Sequence, residues 1–129
     1  MPVMTATVRV PSFDIKEIRR YAACPTGSDG IIAECMNELG ELSYKVCYAE
    51  YDVKYDGGLL DLGFAKTVSK DLGRALKGCD RILLFAATVG IQPDRLTEKY
   101  NRISPAKALF IQAAGAERTE ALCDEFCRI

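Results

Sequence analysis

The sequence contains no histidine among its 129 residues. Without imidazole side chains, Ser–His and Cys–His nucleophile pairs, histidine general acids and bases, and most mixed-ligand zinc sites are excluded. Chemistry at this chain must therefore use carboxylates, tyrosines, lysines, backbone groups or a bound cofactor.

Long apolar runs and an excess of one charge are missing as well. The longest apolar stretch, residues 82–87, is far too short to cross a bilayer. The 17 basic and 18 acidic residues leave a net charge of -1, without the basic stripe that is typical of nucleic-acid-binding domains. The first residues also lack the pattern of a signal peptide. We therefore expect one cytoplasmic domain over residues 1–129, with neither a membrane nor a nucleic acid as its partner.

The cysteines lack the spacing of a metal or redox motif, because no two of them form a C-x-x-C pair. Five of the six lie within apolar patterns. This placement predicts buried thiols that are not part of disulfides, with a redox or metal role as the alternative. The six residues are Cys24, Cys35, Cys47, Cys79, Cys123 and Cys127.

The hydrophobic periodicity predicts an α+β domain in the order β-α-α-β-β-α-β-α-α. Alternation from Met4 to Val10 indicates the first strand, and two helical stripes follow it. From Lys45 to Tyr55 the period is two, and the Asp-Gly-Gly turn at residues 56–58 predicts a hairpin with a short returning strand.

The second half of the chain predicts a helix, a strand and two more helices. Ser69 is a candidate N-cap for a helix that ends at Gly78. Residues 81–87 are apolar on both faces of a strand, so we expect that strand to be buried. A short helix is predicted from Pro93 and a long final one from Pro105.

The turn Thr88-Val89-Gly90 joins a predicted strand to a predicted helix, which is where many proteins hold a phosphate or a cofactor. The dinucleotide fingerprint G-x-G-x-x-G and the P-loop pattern are both absent from the sequence. A threonine and a glycine at a strand end also serve the backbone geometry of a tight turn. The turn therefore either connects two pieces of the core or borders a binding site.

The final helix contains four small residues, 113–116, one of which is a glycine. Glycine inside a helix costs roughly 1 kcal/mol relative to alanine, so such a run predicts close approach by another backbone or by a ligand. Glu120 falls on the same stripe of this helix as Ala116. Its carboxylate either finds a partner, because a buried unpaired charge is costly, or reaches water beside Glu117 and Asp124.

Three segments resemble the activation (reactivation) domain of cobalamin-dependent methionine synthase, and above all the stand-alone relatives of that domain. They are "SKDLGRALKGCDRILLFAATVG", "PDRL" and "AGAERTEALCDEF". The family pattern includes a strand that ends in F-A-A-T-x-G, then D-R, and later a glycine with a glutamate five residues on, here Gly115 and Glu120. The resemblance covers about half of the chain well.

The resemblance implies a mostly antiparallel sheet with helices and a function in cobalamin-dependent methionine synthesis. The family binds S-adenosylmethionine, which remethylates a corrinoid after its cobalt has been oxidised and reduced again. Methyl transfer from a sulfonium to reduced cobalt needs positioning rather than acid–base groups, so a chain without histidine can take part. The implied residues at the donor are Glu120, Thr88 and Gly90, with no catalytic residue and no metal ligand. Cobalamin would be carried by a partner, a corrinoid protein or methionine synthase modules.

One departure from the family concerns the region beyond the final helix, where the family has an arginine followed by a Gly-Tyr element and a last strand. No R-x-x-x-G-Y occurs in this sequence. We therefore expect a shortened relative and leave open whether it is a component of the methyltransferase. The alternative is a non-catalytic interaction protein that docks on a corrinoid protein without binding the methyl donor. A sheet edge left open in this way would also favour a homo-oligomer.

Overall fold

The computed structural model describes residues 2–24 and 27–128, and these residues form an α+β structure. The predicted order of elements is recovered, with two additions. The strand predicted from Lys45 is divided at Val53 into two strands, and a two-residue strand precedes the third helix. The elements are β1 (Met4–Ala6), α1 (Ile15–Tyr21), α2 (Asp29–Leu39), β2 (Lys45–Asp52), β3 (Lys54–Asp56), β4 (Leu59–Asp61), β5 (Lys66–Thr67), α3 (Lys70–Ala75), β6 (Arg81–Thr88), α4 (Gln92–Ile103) and α5 (Pro105–Cys127).

The strands form two small antiparallel sheets, with the orders β1-β2-β6 and β3-β4-β5. The described part of the chain divides into two compact units. The first unit comprises the residues up to Thr5 together with Cys47–Ala86, and the second comprises Ala6–Val46 and the residues from Ala87 onward. The expectation of one domain over residues 1–129 stays a prediction.

The first unit contains the predicted hairpin. Asp56 pairs with Leu59, and the two glycines between them have φ angles of 56° and 90°, which only glycine adopts at low cost. The small core of this unit is formed by buried side chains from β4 and its flanks, with leucines of the α3 segment against them. The buried members of this core are Val53, Leu60 and Leu62.

The expectation that the strand at residues 81–87 is buried is wrong. None of the eight residues of β6 is buried, and Leu83 and Leu84 are 44% and 47% exposed. β6 is also the last strand in the order of its sheet. A sequence that is apolar on both faces predicts burial only if other elements cover both faces.

The second unit is organised around α5, which packs against α1, α2 and α4. Its start is as predicted, because the Ser104 hydroxyl accepts from the Lys107 amide and Pro105 occupies the first turn. The core of this unit consists of apolar residues from all four helices. Its buried members are Ile18, Ala22, Ile32, Cys35, Leu39, Leu96, Phe110, Ile111, Ala113 and Ala114.

The glycine of the small-residue run is explained by helix packing. A Cβ atom built at Gly115 would lie 3.0 Å from the Cβ of Pro93 in α4, closer than side chains normally approach. The predicted close approach is therefore made by the Pro93 ring of α4 in the same unit.

The cysteines are all thiols, but the prediction that they are buried holds only in part. Cys35 is buried, three others are partly buried, and Cys79 and Cys127 are exposed. Among the described residues no group of three or more Cys, Asp or Glu side chains is placed to hold a metal ion. In the same part of the chain, none of the helices is long and apolar enough to cross a membrane.

Candidate functional site

The turn after β6 is built around Gly90, whose φ of +90° lies in the region that favours glycine. The Gly90 amide donates to the hydroxyl of Thr88 at 3.0 Å. The Ser43 amide donates to the carbonyl of Val89 at 3.2 Å, and a Cβ at Gly90 would lie 3.2 Å from the Cβ of Ser43. Thr88 and Gly90 therefore both stabilise the backbone of the turn. This agrees with the alternative that the turn connects two pieces of the core.

The same turn also forms one wall of a cleft of about 300 Å³ in the second unit. The other walls come from the first turns of α4 and the middle of α5, where the run of small residues lies. The cleft is lined by Ala87, Thr88, Val89, Gly90, Pro93, Asp94, Thr97, Gln112, Gly115, Ala116 and Thr119. We call it the turn cleft.

The polar groups of the turn cleft are mostly hydrogen-bond acceptors. The hydroxyls of Thr97 and Thr119 each donate to a carbonyl one turn earlier in their own helices, at 2.8 and 3.0 Å, so their lone pairs remain available. Asp94 adds an exposed carboxylate and Gln112 an exposed amide. A site of this composition suits a ligand with a cationic group and hydrogen-bond donors.

Asp94 and Gln112 were not predicted as site residues. The signal for Asp94 was present in the segment "PDRL", where it follows the proline in the first turn of α4. Nothing in the local sequence marks Gln112, because its place in the cleft depends on how α5 packs against the turn.

Glu120 does not lie in the turn cleft. It follows Thr119 on α5 but lines a second cleft of about 520 Å³, which we call the acidic cleft. Its side chain is exposed and makes no hydrogen bond or ion pair with another described residue. Of the three predicted site residues, the structure thus brings Thr88 and Gly90 together and places Glu120 in the neighbouring cleft of the same unit.

The acidic cleft lies between α1, the segment before it and the last turns of α5. Two of its carboxylates are paired, Glu17 with Arg20 at 2.7 Å and Glu125 with Arg128 at 2.5 Å. Burial raises the pKa of the nearby Cys123 thiol, and the charge of Glu120 raises it further. The charged lining residues are Asp14, Glu17, Arg20, Glu117, Glu120, Asp124, Glu125 and Arg128.

The position of Glu117 beside Glu120 and Asp124 suggested that Glu117 belongs to a solvated polar arc of α5. Glu117 is instead buried. Glu117 and its neighbour Arg118 are only 2% and 1% exposed. The Arg118 guanidinium donates to both carboxylate oxygens of Glu117, at 2.6 and 2.7 Å, and Glu117 also accepts from the Asp14 amide at 3.1 Å. A buried charge is tolerated when it is paired and hydrogen-bonded in this way.

The remaining donors of Arg118 hold the segment that precedes α1. They bond to the carbonyls of Pro11 and Ser12 at 2.7 and 2.6 Å, and the guanidinium lies 3.9 Å above the ring of Phe13. Asp14 at the end of this segment caps α1 through its own carboxylate. The Glu117–Arg118 pair therefore has a structural role and is not available to a ligand.

The comparisons with known proteins add no family to these observations. No protein-family model matches the sequence, and no curated protein is similar enough to count as a match.

Proposed function

We propose that this chain is an S-adenosylmethionine-binding module that helps the reductive remethylation of a corrinoid protein in cobalamin-dependent methionine synthesis. One observation supports this proposal. Three stretches of the resemblance contribute to the lining of the turn cleft: the strand end F-A-A-T-x-G, the nearby P-D-R-L segment and the A-G-A-E-R-T-E stretch of α5. The packing of α5 brings its stretch beside the other two, which follow each other closely in the chain.

The chemistry of the cleft agrees with the charge of this donor. S-adenosylmethionine carries an ammonium and a sulfonium group, and the turn cleft offers the Asp94 carboxylate together with hydroxyl and amide oxygens. Glu120 adds a second negative charge next to Thr119, where it favours the approach of a cation. An exposed ion pair at about 4 Å is worth only about 1 kcal/mol in water, so these charges alone give weak binding.

The size of the cleft also indicates weak binding. Ligand sites usually measure about 300–1,000 Å³ and enclose most of a drug-sized molecule. At about 300 Å³ the turn cleft is at the lower end of that range. We expect a dissociation constant in the range of about 0.1–1 mM, which corresponds to about 4–5.5 kcal/mol of binding free energy.

The corrinoid in this proposal belongs to a partner, either a corrinoid protein or methionine synthase modules. The chain would bring the methyl group of the donor towards the reduced cobalt of that partner, and no acid–base residue is needed for the transfer. In this proposal the chain has the fold of the activation domain. It acts as one component of cobalamin-dependent methionine synthase, which is a methyltransferase.

A thermal-shift titration with S-adenosylmethionine tests the proposal. Ligand at about 10 mM is roughly 10 to 100 times the expected dissociation constant and should stabilise the folded protein by about 1.4–2.7 kcal/mol, which is several degrees for a chain of this size. We expect Asp94→Asn to reduce the shift, with Asp71→Asn as the matched control, because Asp71 is an exposed carboxylate in the first turn of α3, outside both clefts. Glu120→Gln tests the predicted contribution of Glu120.

No shift at millimolar ligand, with a cooperative unfolding transition, would contradict donor binding. That outcome would favour the second candidate, a non-catalytic interaction protein that keeps the fold and docks on a corrinoid protein. The observation that favours this second candidate is that the Gly90 amide already donates to the Thr88 hydroxyl within the turn.

A further inference from the structure

The strand β6 combines length and exposure with a single charged residue. Leu83 and Leu84 are both strongly exposed, and neighbouring residues of a strand point to opposite faces of the sheet. Both faces of β6 therefore present apolar side chains to solvent.

The edge of β6 is also open. In the order β1-β2-β6 the strand has a neighbour on one side, and among the described residues no strand pairs with its other side. The backbone amides and carbonyls on that side form a template for another strand. Natural sheets protect such edges with short strands, prolines, bulges or charges, in particular lysine.

β6 is not short and contains no lysine. Its eight residues contain no proline, and the single charge is Arg81 at the first position. The guanidinium of Arg81 lies 3.6 Å from Asp52 and 3.8 Å from Glu50, both on the neighbouring strand β2, so its charge is balanced on the paired side. The opposite edge of the sheet is formed by β1, which has only three residues.

Charge and length indicate which strand fits this edge. A partner strand with charged residues would place them against the exposed leucines, and desolvating a charge there would be unfavourable. The complement is an uncharged apolar strand of about the same length. The other eight-residue strand, β2, is excluded because it carries charged residues at both ends. Among the described strands, β6 itself fits.

An antiparallel pair of β6 strands related by a two-fold axis at Leu84 satisfies these conditions. Leu84 then lies opposite Leu84 of the second copy and Leu83 opposite Phe85, so apolar residues face apolar residues. Arg81 lies opposite Ala87, so no like charges meet. A parallel pair would bring the two arginines together.

We propose that two copies of this chain associate through antiparallel pairing of β6 with β6, which joins their sheets in the order β1-β2-β6-β6-β2-β1. The pairing has two-fold symmetry, as most homodimers do. The centre of the pairing, Leu83 and Leu84, lies outside both clefts, so a substitution there tests the pairing without changing a cleft residue.

Sedimentation velocity across a range of protein concentrations tests this proposal. We expect the wild-type chain to sediment at twice its monomer mass at micromolar concentration. Leu84→Lys should raise the dimer dissociation constant by about a hundredfold or more, because two buried leucines are lost and two charges are placed in the pairing centre. Val68→Lys is the matched control, since Val68 is an exposed apolar residue of the same unit outside β6; it should leave the dimer intact.

Hydrogen exchange distinguishes edge pairing from association through another surface. The β6 amides that face the open edge should be protected in the dimer and exchange faster on dilution and in Leu84→Lys. If Leu84→Lys does not fold, Leu84→Thr keeps the strand propensity and should weaken the dimer by a smaller factor. A wild-type monomer at all concentrations, or a dimer whose β6 amides are unprotected, would overturn the proposal.

Discussion

At the scale of single residues, Arg118 shows how one side chain can organise a unit. It is the largest of the fully buried side chains among the described residues, and its guanidinium donates hydrogen bonds to the segment before α1, to Tyr44 and to Glu117. In the sequence it is one charged residue among many on α5. Its burial depends on where the chain segment of Pro11 to Asp14 crosses the helix.

We expect Arg118→Met to destabilise the protein by about 3–5 kcal/mol, because it leaves the carboxylate of Glu117 buried without its partner. The matched control is Arg128→Met, at the C-cap of the same helix and mostly exposed, which should change the free energy of unfolding by less than about 0.5 kcal/mol. Urea unfolding measures both. The double variant Glu117→Gln with Arg118→Met should recover part of the loss. Equal effects of Arg118→Met and of the control Arg128→Met on the free energy of unfolding would contradict a buried pair.

Two glycines in helices give opposite predictions. At Gly115 an added Cβ would meet the rigid ring of Pro93 at 3.0 Å, so Gly115→Ala should be destabilising by about 0–2 kcal/mol, since overpacking of about 1–3 kcal/mol exceeds the gain in helix propensity of about 1 kcal/mol. At Gly30 in α2 nothing lies within 4 Å, so Gly30→Ala should stabilise by up to about 1 kcal/mol. Thermal unfolding of the two variants checks the signs. Stabilisation by Gly115→Ala would show that α4 and α5 are not in close contact there.

At the scale of elements, three helices of the second unit meet at one polar cluster. Glu38 of α2 accepts from the hydroxyl of Tyr100 in α4 and pairs with the ammonium of Lys107 in α5. The hydrogen bond from Lys107 holds the pKa of Glu38 below its usual value, with Tyr100 as the second cause. The hydrogen bond to Glu38 in turn raises the pKa of Lys107.

These directions predict how stability depends on pH. The contribution of Glu38 to the free energy of unfolding is fully present above its unfolded-state pKa of about 4.3. It is lost as the pH falls through the lower folded-state pKa. The contribution of Lys107 is present below about pH 10.4 and is lost as the pH rises through its higher folded-state pKa. Unfolding free energies from pH 7 down to 3 should therefore decrease less steeply in Glu38→Gln than in the wild type. Glu34→Gln, on the same helix but outside the cluster, is the control, and an unchanged profile in Glu38→Gln would contradict the assignment.

The elements that the sequence predicted correctly are those with local signals. Ser104 and Pro105 start α5, Ser69 caps α3, and the Asp-Gly-Gly turn closes the hairpin, each through residues within one turn of the chain. The first strand was predicted to reach Val10 but ends at Ala6, and Val10 is exposed. Alternation of apolar and polar residues alone does not supply the neighbour that a strand needs.

At the scale of the whole molecule, the candidate site was predictable only in part. Thr88 and Gly90 were predicted from a strand, a turn and a helix that are visible in the sequence, and this turn borders the turn cleft. Their role in holding a ligand stays a prediction. Asp94 and Gln112 were missed, and Glu120 lines the neighbouring cleft. A cleft is made by segments that are distant in sequence, so its members depend on the packing angles of the helices.

The sequence by itself determined the α+β class, the order of most elements, the absence of histidine chemistry and the conformations of the tightest turns. These properties depend on side-chain chemistry and on interactions between residues a few positions apart. Only the tertiary structure decided that Glu117 and Arg118 are buried, that Glu120 is separate from the turn cleft and that β6 is exposed at an edge. Those outcomes depend on which distant segment covers which face, and burial is a property of the neighbours of a residue rather than of the residue alone.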